Sequence, residues 1–235
     1  IWPGFSDGGN TKMLDGFSDG TLAALFGAAG GLVLGLAARL GRFCTLGAIE
    51  DVLYQGSDIR LRMWVLAIGV AGLASFGLAA AGWLDLGRTV YNLAPFSPFA
   101  SILGGLLFGY GMSLAGNCGF GALARVGGGD LRAFVIVLVM GIASYVMLSG
   151  PLAAARFAFV SATALDIGTN SYAELLSATL GLSVPIAGLL ISVAIVGGAL
   201  LSSNFAIRRK EIIWGMLVGL AVASGWAGTQ WIATH

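Results

Sequence analysis

Long apolar stretches separated by short polar gaps make up most of this chain. Because about 20 apolar residues cross the hydrocarbon core of a bilayer as a helix, each stretch of that length predicts one membrane-spanning helix. Two of the stretches are longer, and each is expected to hold a crossing helix and a shorter or re-entrant piece. The pattern therefore predicts about six or seven crossings. The uncharged windows run over residues 20–38, 63–84, 89–124, 133–155, 175–207 and 212–234.

Prolines and polar residues refine this pattern. Pro151, directly after Gly150, is expected to end the fourth span before a shorter interfacial or re-entrant helix. Pro185 is expected to open the next crossing helix, where its missing N–H is harmless. Residues 1–19 are polar and predict an N-terminal loop ahead of a single transmembrane domain over residues 20–235. The absence of an initiating Met indicates a sequence that begins inside a longer polypeptide.

Composition places the chain in one class. It is 57% hydrophobic and only 10% charged, and its mean hydropathy of +0.92 exceeds what a soluble core needs. The sequence therefore predicts an all-α integral membrane protein. Its 12 basic and 11 acidic residues nearly balance, and no run of like charge suggests a nucleic-acid partner.

The chain has 2 cysteines, and both occur in the same motif. Cys44-Thr-Leu-Gly47-Ala48 is matched by Cys118-Gly-Phe-Gly121-Ala122, and each motif is followed by an Asp-x-Arg turn and another apolar run. The match predicts two repeat units, over about residues 20–84 and 99–149, followed by C-terminal helices over 150–235. Duplicated transporters commonly hold their substrate at the repeat interface. Matching residues continue outward at one fixed offset, from Gly30, Gly31, Leu32 and Gly35 to Gly104, Gly105, Leu106 and Gly109.

Each cysteine lies at a polar break in apolar sequence. Glycines including Gly47, Gly119 and Gly121 bracket these breaks, and irregular backbone at that depth is tolerated only against protein or a water-filled cavity. Short helices are predicted to follow, over residues 45–54 and 120–126. Each cysteine would then lie at a helix N-terminus, where free N–H groups and the helix dipole attract anions.

Two polar residues near the cysteines each have two open interpretations. Arg42 lies two residues before Cys44, and it either extends from the first span to the interface or contacts an anion inside the membrane. Asn117, directly before Cys118, either donates through its amide or only shapes the turn.

Other chemistries find little support in the residues. A disulfide between the two cysteines is allowed by their number, but it would consume both thiols. No metal site or cofactor is predicted, because the single histidine is His235 and no Cys-x-x-Cys occurs. The chain also lacks the serine, histidine and acid set of a hydrolase, so no enzyme activity is expected.

The segments Arg42-Phe-Cys44-Thr-Leu-Gly47-Ala48 and Gly116-Asn117-Cys118-Gly-Phe-Gly121-Ala122 resemble the YeeE/YedE family of bacterial sulfur-transport membrane proteins. The resemblance covers roughly residues 20–147. It implies uptake of thiosulfate, or a related small sulfur-containing anion, across the bacterial inner membrane. It also implies an inverted, pseudo-symmetric bundle whose cysteines line a narrow central path, with Cys44 and Cys118 as its first two cysteines. The expected permeation path comprises Cys44, Cys118, Gly47, Gly121, Asn117, Arg42, Thr45 and Gly119.

The family pattern includes a third cysteine in a C-terminal portion, which this chain lacks. The chain then lacks the exit half, is completed by another chain, or works by a shorter relay. Two other functions remain open at this stage. One is a membrane sulfurtransferase or redox subunit that passes a persulfide to a soluble sulfur-carrier protein, and the other is a non-transporting assembly subunit.

Overall fold

A computed structural model describes residues 19–85, 97–165 and 171–234, and the predicted N-terminal loop lies outside this part except for residue 19. The described residues form helices and no strand. The segment of the first predicted repeat unit contains α1 (Asp19–Leu40), α2 (Thr45–Gln55) and α3 (Ile59–Ala80). The segment of the second predicted unit contains α4 (Pro98–Ala115), α5 (Gly119–Val126) and α6 (Leu131–Leu148). The remaining helices are α7 (Ala153–Ala162), α8 (Tyr172–Leu180), α9 (Val184–Leu200), α10 (Ser203–Ala206) and α11 (Arg209–Thr234).

The tightest packing surrounds α3, which lies against α9 and α11, while α1 packs against α11. Glycines allow these backbones to approach. A Cβ on Gly219 of α11 would lie 2.6 Å from the Ala67 carbonyl oxygen, and one on Gly69 would lie 2.6 Å from Val196. Helices in lipid associate through close packing at small residues, because the hydrophobic effect does not drive them together there.

The helices α4 to α7 are joined less closely to this bundle. The short α5 packs against α6 and contacts α1, whereas α4 makes only isolated contacts with the other described helices. The start of α4 is tied to the end of α7 by a 2.7 Å hydrogen bond between the Ser97 and Thr163 hydroxyl groups. The connection between the two groups of helices therefore runs mainly through α5, next to Cys118.

The structure confirms an all-α membrane fold. Among the described residues, 5 helices are long and apolar enough to cross a membrane, or 6 if α8 and α9, bent by 111°, form one span. The predicted upper count of seven is not reached in this part of the chain. Both long windows hold a long helix and shorter pieces, as expected: α4 with α5, and α9 with α8 and α10. Pro151 lies between α6 and α7, and Pro185 lies in the first turn of α9, as predicted.

Candidate functional site

The two cysteines lie side by side where the segments of the two predicted repeat units meet. The Sγ atoms of Cys44 and Cys118 lie 3.9 Å apart, and both thiols are free. Cys118 is only 3% exposed, whereas Cys44 is partly accessible. The sequence did not determine whether the two thiols face one space, and the structure places them side by side.

Each cysteine is the residue directly before a short helix. Cys44 precedes α2 in extended backbone, with φ −149° and ψ 129°, and Cys118 precedes α5 with φ −82° and ψ 163°. The backbone N–H of Gly121 donates to the Cys118 sulfur at 3.3 Å. Both predicted short helices are confirmed, with α2 ending one residue later and α5 beginning one residue earlier than expected. Two helix N-termini thus start next to the thiol pair.

The three glycines expected on the path have different surroundings. A Cβ on Gly121 would lie 3.6 Å from both sulfur atoms, so this residue directly faces the pair. A Cβ on Gly119 would instead meet the Met140 side chain at 3.0 Å. A Cβ on Gly47 would lie 2.5 Å from the Arg60 guanidinium. Only Gly121 adjoins the gap between the thiols.

The turn before each cysteine is left-handed. Arg42 has φ 53° and Gly116 has φ 67°, and the two occupy matching positions of the proposed repeat. Arg42 is the only non-glycine residue with positive φ among the described residues. Its carbonyl oxygen accepts hydrogen bonds from Arg60 Nε at 3.3 Å and Nη2 at 3.2 Å. Arg60 Nη1 also donates to the Gly47 carbonyl and the Asp51 carboxylate, each at 3.1 Å.

Aromatic residues hold the two cysteine segments together. Phe43, adjacent to Cys44, is 2% exposed and packs on Trp64 with ring centroids 4.2 Å apart. It also makes an edge-on contact with Phe120 of α5, at 6.2 Å between centroids. Because Phe120 lies two residues after Cys118, this contact fixes one thiol segment against the other.

A cavity of about 370 Å³ opens beside Cys44. It is lined by Cys44 and, in α2, by Leu46 and Gly47. The segment around Cys118 contributes Asn117 and Gly121. Its wall is rich in positive charge and contains one carboxylate. The charged lining residues are Arg39, Arg42, Arg60, Arg125 and Glu50.

Most of that charge is not neutralised by a neighbour. Arg60 forms an ion pair with Asp51 at 3.1 Å, but the other lining arginines form no ion pair within residues 19–85, 97–165 and 171–234. Guanidinium groups without a carboxylate around a cavity favour an anion as its occupant.

Asn117 is 6% exposed, and it lines the cavity. Its Oδ1 atom is buried and has no hydrogen-bond partner in the described part of the chain. A buried polar atom without a partner costs about 1–3 kcal/mol, and because an amide oxygen only accepts hydrogen bonds, this atom would pair with a donor and not with an anion. The described residues contain no group of three or more histidine, cysteine, aspartate or glutamate side chains suited to a metal ion.

Comparison with known proteins gives a consistent result. A family model described as sulphur transport matches residues 40–235. The thiosulfate transporter TsuA of Escherichia coli (strain K12) is 30% identical over 119 residues, which are 51% of this chain and 32% of that protein. The thiosulfate transporter TsuA of Spirochaeta thermophila (strain ATCC 700085 / DSM 6578 / Z-1203) is 30% identical over 120 residues, 51% of this chain and 35% of that protein. The matched segment thus spans about a third of each relative.

Proposed function

The chain belongs to the sulphur transport family of multi-pass membrane proteins, and on that premise we propose that it carries thiosulfate or a related small sulfur-containing anion across the bacterial inner membrane. The observation that carries the proposal is the thiol pair, 3.9 Å apart, at the starts of two helices. The TsuA relatives are named as thiosulfate transporters, which supports this class of substrate.

The backbone supplies the first part of an anion path. The first N–H groups of a helix have no partner within it, and the dipole adds partial positive charge at that end. Here α2 and α5 both begin at the thiols. The Gly121 N–H already donates to the Cys118 sulfur, and the remaining N–H groups of the two first turns would serve as donors to an anion. An anion there exchanges hydration for fixed donors, which a hydrocarbon interior does not offer.

The thiols supply contacts that an ion leaves easily. A protonated thiol is a weak hydrogen-bond donor and presents a polarisable sulfur surface. A thiolate would repel a dianion, so transport is expected to use both residues as thiols. Weak successive contacts favour conduction, because tight binding would hold the ion in place.

The arginines of the cavity support the proposal, because they would attract an anion toward Cys44. Arg39, Arg42 and Arg125 line the same space as Cys44, and they outnumber the single lining carboxylate of Glu50. Their combined field raises the local concentration of anions at the cavity. This arrangement favours the interpretation of Arg42 as an anion contact over that of an interface anchor.

Burial argues against the persulfide-carrier hypothesis for Cys118. A sulfur carrier needs an accessible thiolate that a soluble partner can reach, whereas Cys118 is 3% exposed. A soluble sulfur-carrier partner remains a separate proposal for the step that follows uptake.

Uptake of radiolabelled thiosulfate into cells lacking other sulfur importers tests the proposal. We expect Cys44→Ala and Cys118→Ala each to reduce initial uptake at least about tenfold, equivalent to about 1.4 kcal/mol on the barrier, at unchanged membrane abundance. Ser224→Ala is the matched control, because its hydroxyl bonds only within its own helix, to the Ala221 carbonyl. Wild-type rates in both cysteine variants, or no uptake by the unmodified chain, would contradict the proposal.

A further inference from the structure

We infer that Arg60 is a positioning residue for the first thiol: its guanidinium fixes the left-handed turn before Cys44 and thereby sets the separation of Cys44 from Cys118. Its Nε and Nη2 atoms both donate to the Arg42 carbonyl, and Nη1 donates to the Gly47 carbonyl beyond the cysteine. The segment that carries Cys44 is therefore held on both sides by one side chain. The inference rests on the proposed function only for its uptake readout.

The turn needs such support because its residue is not glycine. A residue with a Cβ disfavours the left-handed region, and Arg42 adopts it with φ 53°. The planar guanidinium offers two parallel N–H groups to one acceptor in a fixed orientation. Asp51 in turn orients the guanidinium through a 3.1 Å ion pair, so the group has little freedom to rotate.

In the second predicted unit the left-handed turn is formed by a glycine, which needs no such support. The residue that matches Arg42 is Gly116, which takes φ 67° without a Cβ. The position matching Asp51 is Arg125, and the position matching Arg60 is Arg132, whose side chain makes no hydrogen bond in the described part of the chain. The guanidinium support thus occurs only in the unit whose turn residue carries a side chain. Arg125 forms no ion pair in the described part of the chain, and it lines the cavity.

The same contacts explain Gly47. A Cβ at this position would lie 2.5 Å from Arg60 Nη2 and 2.8 Å from Cζ, so the guanidinium lies directly on the Gly47 backbone. Gly121, the matching residue of the second unit, faces the thiols and no guanidinium. Gly47 therefore accommodates Arg60, and any larger residue displaces it.

Thiol proximity gives a test that does not depend on transport. The purified full chain in detergent is treated with diamide, and the rate of Cys44–Cys118 disulfide formation is followed by free-thiol labelling and mass spectrometry. We expect Arg60→Gln to slow this reaction at least fivefold. Arg60→Lys keeps the positive charge but loses the paired N–H donors of the guanidinium, and it should slow the reaction less. The matched control is Arg62→Lys. Like Arg60, Arg62 pairs with an aspartate, Asp58, and donates to carbonyl groups. Those carbonyl groups belong to α9 and not to the Cys44 segment, so the Arg62→Lys variant should form the disulfide at the wild-type rate.

A second variant keeps the test valid if Arg60→Gln does not accumulate. Gly47→Ala displaces the guanidinium without removing it and should slow disulfide formation to a similar extent. The double variant Gly47→Ala/Arg60→Gln should be no slower than either single change, because both remove one interaction. Wild-type rates in Gly47→Ala and in the accumulating Arg60 variants overturn the inference. Slower disulfide formation in a chain that imports no thiosulfate supports the positioning role and refutes the proposed function instead.

Discussion

Replacing Gly121 by alanine should block access of an ion to the thiol pair while leaving the fold intact. The added Cβ would lie 3.6 Å from each sulfur atom, which is an ordinary van der Waals distance rather than a clash. Alanine is also favoured over glycine inside a helix by about 0.5–1 kcal/mol. The variant is therefore expected to be as stable as the wild type or slightly more stable.

The effect on transport has the opposite sign. The thiols are 3.9 Å apart, and a methyl group in contact with both occupies the space beside the two sulfur atoms, where a passing ion would contact them. Forcing an extra methyl group into a packed space typically costs about 1–3 kcal/mol. A barrier raised by that amount lowers the rate about 5-fold to 150-fold. We therefore expect initial thiosulfate uptake to fall by about one to two orders of magnitude.

The assay compares uptake of radiolabelled thiosulfate with thermal stability of the same protein in detergent. Gly127→Ala is the matched control. This residue follows α5 with φ −61°, and its added Cβ would contact only backbone carbonyls of its own turn, at 3.6 and 3.9 Å. It adds the same methyl group six positions after Gly121, yet away from the sulfur atoms.

The combination of the two readouts is what makes the prediction specific. Lower uptake with unchanged stability supports a path past the thiol pair at Gly121. Wild-type uptake by folded Gly121→Ala would refute the reasoning, because no ion would then pass through the space beside the sulfur atoms. Equal losses in Gly121→Ala and Gly127→Ala would show that α5 tolerates no added methyl group and that the space beside the thiols has no special role.

Three further predictions test the surroundings of the thiols. Arg42→Gly should raise the free energy of unfolding by about 1–2 kcal/mol, because glycine accepts the left-handed turn, yet raise the KM for thiosulfate uptake; lower stability would contradict this reading of the turn. Asn117→Leu removes a buried oxygen without a partner, so the free energy of unfolding should stay unchanged or rise by about 1 kcal/mol, while thiosulfate uptake falls. Unchanged uptake would assign Asn117 a purely structural role. Phe43→Ala should destabilise the protein by about 3–5 kcal/mol, measured by thermal unfolding in detergent, with Phe43→Leu much milder; a small effect would show that the contact with Phe120 does not hold the two segments together.

Local sequence was sufficient to predict the cysteine segments as elements. A polar break with flanking glycines inside apolar sequence predicted short helices after Cys44 and Cys118, and both occur within one residue of the expected bounds. These features depend on neighbouring residues and on the membrane environment alone. The same reasoning predicted the division of the long windows and the helix start at Pro185.

Tertiary contacts were beyond that reasoning. The separation of the thiols depends on how α5 packs against α1 and on the contact between Phe43 and Phe120, which no periodicity encodes. Arg60 was noted only as part of a recurring Asp-x-Arg turn, because a charge between two spans usually faces solvent. The recurrence of that turn next to each cysteine was the one available signal, and it did not distinguish Arg60 from Arg132. The division into two repeat units stays a prediction.

Cysteine is not the residue that favours helix stability most at the positions before α2 and α5. Serine, aspartate and asparagine are the preferred residues at such helix starts, and losing one of them typically costs about 1 kcal/mol. Cys44 makes no capping bond with its side chain, and the Cys118 sulfur accepts one from Gly121. At Cys44, stability alone would favour a capping oxygen, which differs from the sulfur by a single atom. If the proposed transport uses both thiols, function would maintain sulfur at both positions, and the loss of stability would be tolerated because natural proteins need only remain above a stability threshold.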